Sequence, residues 1–433
     1  MISPIKTIFI IISPALCGIF LLFSCNSNTV NKQVVSGKSG IAKITLPDPV
    51  PVTNAEFLRI KNACQLWYDT ALKTKNFNGG IIVAKNGNII FEAYNGTAHL
   101  PGNDSITAIT SMHIASVSKT FTAMAVLKLW QDDKLNIDDE FNKYFPEFNY
   151  PGVTIRDLLC HRSGLPNYTN FLEKLGWDKT KIATNQNVLD FLITRKSEFA
   201  DITMPGMHFS YCNTNYALLA LLIEKITAKN YSTFLNETFF IPLQMKNTFV
   251  YNIIDSNKVV PSYDWKNRIV PFNFLDGIYG DKNIYTTPED LLIWDRALTS
   301  SKLFNSEILA EAYAPYSNEK PGTKNYGLGW RMDIYPTGKK IIFHNGWWHG
   351  SNAVFMRLLD ESATIILIGN KFNKAIYYAR VLANIFGDYY NIEEPEESES
   401  LKSIDTTNSI KSKRNAKENM KLQYIFKDKN QKF

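Results

Sequence analysis

Ser116 is followed three residues later by Lys119, in the run Ile114-Ala115-Ser116-Val117-Ser118-Lys119-Thr120-Phe121-Thr122. The apolar residues from Ala123 to Leu129 continue this run as a helix. Ser116 is expected at the helix start, where backbone N–H groups and the helix dipole favour negative charge. Lys119 lies on the same face, so its amine can reach the Ser116 hydroxyl. A serine hydroxyl is a poor nucleophile at neutral pH and needs a base beside it. A lysine can be that base only where its neutral form is accessible, through desolvation and nearby positive charge. Ser-x-x-Lys alone is a weak pattern. A second copy, Ser317 and Lys320, precedes Pro321-Gly322 and starts no helix.

A second group lies in Ser210-Tyr211-Cys212-Asn213-Thr214-Asn215-Tyr216. Tyr211 and Asn213 alternate on extended chain, so both can point into one cleft. A tyrosine hydroxyl relays a proton when positive charge stabilises its phenolate. Asn213 can donate and accept, which suits an amide substrate. Tyr168 and Asn170 repeat the spacing, and a turn is the plainer reading of either copy. The third group is Phe343-His344-Asn345-Gly346-Trp347-Trp348-His349-Gly350, at the end of a strand-like run. Gly346 would let a substrate approach the strand backbone closely. The strand edge can then hold a peptide-like acyl group, and the next N–H can serve an oxyanion hole. Trp347 and Trp348 suit an apolar or sugar-bearing substrate, or core packing of one of them.

Elements must position these groups. Residues 54–75 carry apolar side chains at helical spacing (Phe57, Ile60, Ala63, Leu66, Trp67, Ala71). Runs 80–84 and 89–93 flank Asn86-Gly87, a hairpin signal because the tight turn needs positive φ angles. From 116 to about 260 the pattern is mostly helical. Strand-like runs at 326–334, 340–345, 352–359 and 364–369 precede a helix over 374–388. Strands early, helices in the middle and strands late predict an α+β fold. An antiparallel sheet of N- and C-terminal strands is flanked by helices, with a mostly helical region inserted.

The 433 residues are 45% hydrophobic and 20% charged, enough for a large core. Collagen-like, fully disordered and disulfide-scaffold classes are excluded by 22 Gly, 18 Pro, 13% aromatics and 5 Cys. A net charge of +6 without a dense Lys/Arg face outside the tail argues against nucleic acid as a partner. No His-Glu-x-x-His and no paired Cys motif is present, so neither a metal nor a cofactor is expected. The absence of Gly-x-Ser-x-Gly speaks against an α/β-hydrolase elbow. His99, His113, His161, His208 and His349 read as structural or surface residues, with His161 and His349 nearest the proposed cleft.

Residues 1–25 place Lys6 ahead of an apolar run and end in Leu22-Phe23-Ser24-Cys25. This is a secretory signal pattern whose end resembles a bacterial lipobox, with Cys25 as the lipidated residue. An uncleaved anchor and a plain cleaved signal are the alternatives. Residues 26–53 read as a flexible tether, 54–392 as the body, and 393–433 as a disordered charged tail. Cys64, Cys160 and Cys212 remain in the body, and free or buried thiols are expected.

In their order the three groups resemble those of the serine hydrolases of the class C β-lactamase, D-Ala-D-Ala carboxypeptidase and family VIII esterase group. Residues 154–166 and 280–292 are similar to that group's stretches before the active-site loops and along the cleft floor, and the likeness covers roughly 54–390. The resemblance implies a β-lactamase/transpeptidase-like fold with Ser116 as acylated nucleophile and Lys119 and Tyr211 as the base system. It also implies Asn213 orienting substrate, His344 as third-motif residue before Gly346, and Ser116 and Trp347 N–H groups in the oxyanion hole. Which of Lys119 and Tyr211 takes the first proton stays open. His344 stands where β-lactamases have a lysine, which moves the reading towards peptidases and esterases. Cys212 replaces a usual serine, with its side chain expected to point away from the cleft.

The implied protein is an exported, lipid-anchored monomer of the bacterial cell envelope, facing the periplasm or the outside. It would hydrolyse a small peptide, ester or peptidoglycan-derived substrate as a D-Ala-D-Ala carboxypeptidase-like enzyme or D-amino-acid peptidase. The alternatives are a family VIII-type carboxylesterase, a β-lactamase, or a catalytically silent cell-wall-binding lipoprotein.

Overall fold

Asn86 and Gly87 both have positive φ, 55° and 78°, and turn the chain between β1 (Gly79–Lys85) and β2 (Asn88–Asn95). The computed structural model describes residues 40–319 and 321–389. The signal segment with Cys25, residues 26–39 of the expected tether, Lys320 and the tail over 393–433 lie outside the described residues.

Short strands β3 (Met112–His113), β4 (Phe249–Val250), β5 (Ser262–Tyr263), β6 (Ile269–Val270) and β7 (Ile284–Thr286) punctuate the middle of the chain. The late strands are β8 (Lys324–Tyr326), β9 (Arg331–Ile334), β10 (Lys340–Trp348), β11 (Ser351–Leu358) and β12 (Ala363–Gly369). They join β1 and β2 in one seven-stranded sheet of order β2-β1-β12-β11-β10-β9-β8, with every neighbouring pair antiparallel. The early and late strands thus share a sheet, as the strand pattern predicts.

Both faces of the sheet are covered, which explains the near-continuous apolar runs. Alternate residues serve different layers. Ile81, Val83, Ile341, Phe343, Ile365 and Leu367 pack with α1 (Asn54–Trp67) and the 3₁₀-helical segment Lys374–Ile385. Ile82, Ile342, Phe355, Ile366 and Ile368 face the inserted helical region. There α2 (Ser118–Gln131) is buried on nearly every side, the signature of a central helix. Around it stand α3 (Ile155–Leu159), α4 (Tyr168–Lys174), α5 (Asn185–Thr194) and α6 (Asn213–Thr227).

Three expectations change. The run 326–334 is two strands, because Gly329 turns with φ +88° against Ala123 of α2, where a Cβ would stand 2.2 Å from that residue's own. The run 340–345 extends to Trp348, paired with β11 throughout its later half. Residues 40–53 do not hang free as a tether. Ile44 N–H donates to Pro242 O (2.9 Å), Val50 N–H to Asn86 O (3.1 Å) and the Arg296 guanidinium to Pro47 O (2.7 Å). Cys64, Cys160 and Cys212 are buried free thiols.

Candidate active site

Ser116 lies in a 3₁₀ turn, Ala115–Val117, and the α-helix begins two residues later at Ser118. The turn is tied down on both sides. Ile114 N–H donates to Ile284 O of β7 (3.0 Å), and Ser118 Oγ accepts from Ile284 N–H (3.1 Å). Ala115 has φ +48°, a strained conformation for a residue with a Cβ. Its N–H donates to His113 Nδ1 (3.2 Å), whose Nε2 in turn meets Asn283 Oδ1 (3.3 Å). Burial pushes His113 down to about 4, so the ring stays neutral and accepts that N–H.

Lys119 is fully buried, with Nζ 3.2 Å from Ser116 Oγ. It also donates to Asn213 Oδ1 and to the backbone oxygen of Asp281, both at 2.8 Å. A neutral amine has two N–H donors and one lone pair. In that form, spending the donors on these two carbonyl oxygens would leave the lone pair for the serine hydroxyl.

Tyr211 precedes α6, and Asn213 is that helix's first residue rather than part of an extended run. Both line a cleft of about 900 Å³ together with Ser116, Trp347 and Trp348. Two basic groups stand near the Tyr211 ring: Lys119 Nζ is 5.1 Å from its centre and the Arg331 guanidinium 4.9 Å. Beneath it lies His161, ring centres 4.4 Å apart. His161 Nδ1 accepts from Cys212 N–H (3.2 Å), fixing the residue between Tyr211 and Asn213. Burial, then the charges of Lys119 and Arg331, push His161 well below the usual histidine range. Cys212 is buried, with Sγ directed at the carbonyl oxygens of Leu165 and Pro166.

Two third-group expectations change. His344 is fully buried beneath the cleft, its Nε2 3.2 Å from Tyr326 OH and its Nδ1 2.7 Å from Asn345 O. Burial, then Arg331 and Lys119, push it well below the usual range, so it is neutral and brings no charge to the cleft. Arg331 lines the cleft instead. Gly346 does not leave room for substrate. A Cβ there would stand 2.2 Å from Ile114 O and 3.2 Å from Ala115 Cβ, so the space belongs to the turn that carries Ser116. The Trp347 ring packs onto Phe372, ring centres 5.8 Å apart, and the residue also lines the cleft. Trp348 faces inward and donates through Nε1 to Asp276 Oδ1 (2.7 Å). Past Phe343, β10 is paired with β11 but no longer with β9, which leaves one strand edge open beside the cleft.

Sequence patterns gave no sign of a buried charge network. Asp281 Oδ2 accepts from Tyr168 OH (2.8 Å), and Lys282 Nζ bonds Tyr168 OH (2.6 Å) and Ile278 O (2.8 Å). Lys282 and Asp281 pair at 3.5 Å, both almost wholly buried. Burial pushes the Lys282 ammonium down, opposed by Asp281 and Asp276. Tyr168 belongs to α4, not to a turn, and carries this network. Asp281 and Lys282 stand side by side in the stretch Ile278 to Ile284, which also carries the polar Asn283, and such an adjacent charge pair is ordinarily a solvated one. Among the described residues no cluster of His, Cys, Asp and Glu is placed to hold a metal ion.

Comparison with known proteins follows the same outline. The chain is 30% identical over 362 residues to Penicillin-binding protein 4* of Bacillus subtilis (strain 168), covering 79% of this chain and 80% of that protein. The penicillin binding protein of Bacillus halodurans shares the fold with a TM-score of 0.62 at 23% identity, covering 71% of this chain and 95% of that one. The D-amino acid amidase of Ochrobactrum anthropi SV3, complexed with L-phenylalanine, shares it with a TM-score of 0.57 at 23% identity, covering 73% and 90%. Residues 68–384 match the family described as Beta-lactamase, so the serine, lysine and open strand edge gathered here belong to a member of the Beta-lactamase family of serine hydrolases.

Proposed function

We propose that the protein is an exported, membrane-tethered hydrolase that cleaves amide bonds at D-amino acids through a Ser116 acyl-enzyme. The activity is D-Ala-D-Ala carboxypeptidase-like or that of a D-amino-acid peptidase. The observation that carries this reading is the set of three contacts around Lys119 Nζ. In acylation, Ser116 Oγ attacks the carbonyl carbon and its proton passes to the Lys119 lone pair. The carbonyl oxygen becomes an oxyanion, held by the Ser116 and Trp347 N–H groups. The C–N bond then breaks. The proton leaves Lys119, passes through the Tyr211 hydroxyl, and ends on the departing nitrogen. Water repeats the sequence on the ester, returning its proton to Ser116 as the acid leaves.

The relatives' names, a penicillin-binding protein and a D-amino acid amidase, favour amides over simple esters. Arg331 beside Tyr211 offers a cation to a leaving group that ends in a carboxylate. All these groups come from one chain, which suits a monomer. The N-terminal pattern ending in Cys25 supports lipid anchoring at the cell envelope.

Intact mass after exposure to a fluorophosphonate, and separately to penicillin, tests the reading. The wild type is expected to gain one adduct with each probe and Ser116→Ala none. An adduct that persists in folded Ser116→Ala refutes Ser116 as the nucleophile.

A further inference from the structure

His161 stands just past α3 with φ +58°, a left-handed conformation uncommon outside glycine. Its backbone and its ring meet the same three residues. His161 O accepts from Ser210 N–H (2.9 Å), and His161 Nδ1 accepts from Cys212 N–H (3.2 Å). One residue therefore grips the chain immediately before and immediately after Tyr211. Between these two anchors the imidazole lies against the Tyr211 ring, with centres 4.4 Å apart and planes at 46°. Tyr211 has no comparable anchor of its own. Among the described residues its hydroxyl makes no hydrogen bond. Where that hydroxyl sits is set by backbone and ring, and His161 touches both.

Stability alone does not call for a histidine here. Burial, then the charges of Lys119, Arg331 and His344, hold the ring neutral. With Nδ1 accepting, the proton is on Nε2. That atom is buried with no partner among the described residues. An unpartnered buried polar atom and a left-handed φ both cost stability. The ring is walled in by Tyr216, Tyr326 and Phe209, and Asn215 Nδ2 lies 3.3 Å from Nδ1. What the residue supplies is a flat, uncharged acceptor. Phenylalanine would lack the acceptor, and asparagine would lack the ring.

We propose that His161 is a positioning residue for Tyr211: by gripping both its neighbours and backing its ring, it holds the Tyr211 hydroxyl in line with the departing nitrogen. This rests on the reading that Ser116 is acylated and that Tyr211 passes the proton to that nitrogen. A selective defect follows. Breaking a C–N bond needs a proton on nitrogen as the bond breaks, whereas a fluorophosphonate loses fluoride, which leaves without one. His161 matters for the first reaction and hardly for the second.

Intact mass against time gives both rates on the full chain: acylation by penicillin, which breaks a C–N bond, and labelling by a fluorophosphonate. Tyr211→Phe is the reference, expected to slow acylation about 100-fold or more and labelling by less than about tenfold. His161→Asn tolerates the left-handed backbone and keeps an acceptor for Cys212 N–H, but removes the ring. It is expected to slow acylation about 10- to 100-fold, as a misplacement of about 1 Å does, and labelling by no more than about threefold. In the double variant, acylation should stay within about threefold of Tyr211→Phe alone, because position ceases to matter once the hydroxyl is gone. Melting curves certify each fold, and His161→Gln makes the same comparison if His161→Asn is unstable. Wild-type acylation in a folded His161 variant, equal losses of acylation and labelling, or additive losses in the double variant overturn the proposal. If only Tyr211→Phe shows the selective loss, the proton relay stands and the role of His161 falls. If Tyr211→Phe shows no selective loss, the relay falls and the role of His161 with it. A wild type that penicillin does not acylate overturns both.

Discussion

A Cβ at Gly346 would stand 2.2 Å from the carbonyl oxygen of Ile114, so the sheet and the turn that carries Ser116 meet backbone to backbone. Neither side can yield easily. Ile114 is held by β7, and Gly346 lies mid-strand with its oxygen accepting from Tyr377 OH (2.7 Å). Gly346→Ala is expected to cost about 1–3 kcal/mol in urea unfolding. It should also slow Ser116 labelling by about 100-fold, because a shift of about 1 Å misplaces the nucleophile. Labelling at the wild-type rate would show that the turn does not depend on this contact.

Lys119→Arg separates charge from base function. Arginine stays charged and cannot take the serine proton. Fluorophosphonate labelling is expected to fall about 100- to 10,000-fold, the usual worth of a general base. Asn213→Ala removes one of the two acceptors that orient Nζ. It should lower kcat more than it changes KM.

Three buried histidines set an acid limit on stability. His113 is held at about 4, and burial holds His161 and His344 well below the usual range. In the unfolded chain each takes a proton below about pH 6.5, while the folded state refuses it. The unfolded state therefore binds more protons, and stability falls as pH drops below that value. His113 alone accounts for a loss of about 3 kcal/mol by pH 4. Urea midpoints measured from pH 7.5 to pH 4, at about half-unit steps, should decline below about 6.5, and less steeply in His344→Asn. A flat profile over that window would contradict the neutral, buried assignment.

Lys282→Met leaves Asp281 buried without its cation. The expected cost is about 3–5 kcal/mol, with part recovered in the double variant Lys282→Met/Asp281→Asn. Chemical denaturation of the single and double variants gives the coupling directly. No recovery in the double variant would mean that Lys282 acts through Tyr168 and Ile278 rather than through Asp281.

Much of the site is legible in the order and spacing of the residues. Ser116 and Lys119 are brought together by their three-residue spacing, and the helix that starts just after Ser116 and carries Lys119 is apolar enough to be central. Tyr211 and Asn213 reach the same cleft, although one ends a loop and the other starts α6. The hairpin at Asn86-Gly87 and the closing of the sheet by both chain ends follow from turn chemistry and strand pattern. The His344 expectation met a different geometry. Its motif position pointed to the cleft, but the ring sits under Tyr326 and Tyr211, among residues 18 and more positions away in the chain.

What the sequence by itself determined is therefore largely local and periodic: the spacing of Ser116 and Lys119, the strands and helices, and the tight turns. Each of these signals spans about ten residues or fewer, where backbone geometry couples them directly. What only the tertiary structure decided is which polar groups lose water together. Asp276 meets His349, Asp281 and Lys282 meet Tyr168, and Arg331 meets Tyr211 across gaps of 73, 113, 114 and 120 residues. Burial and pairing of charges depend on chain segments brought together by the packed core, and no local pattern records them.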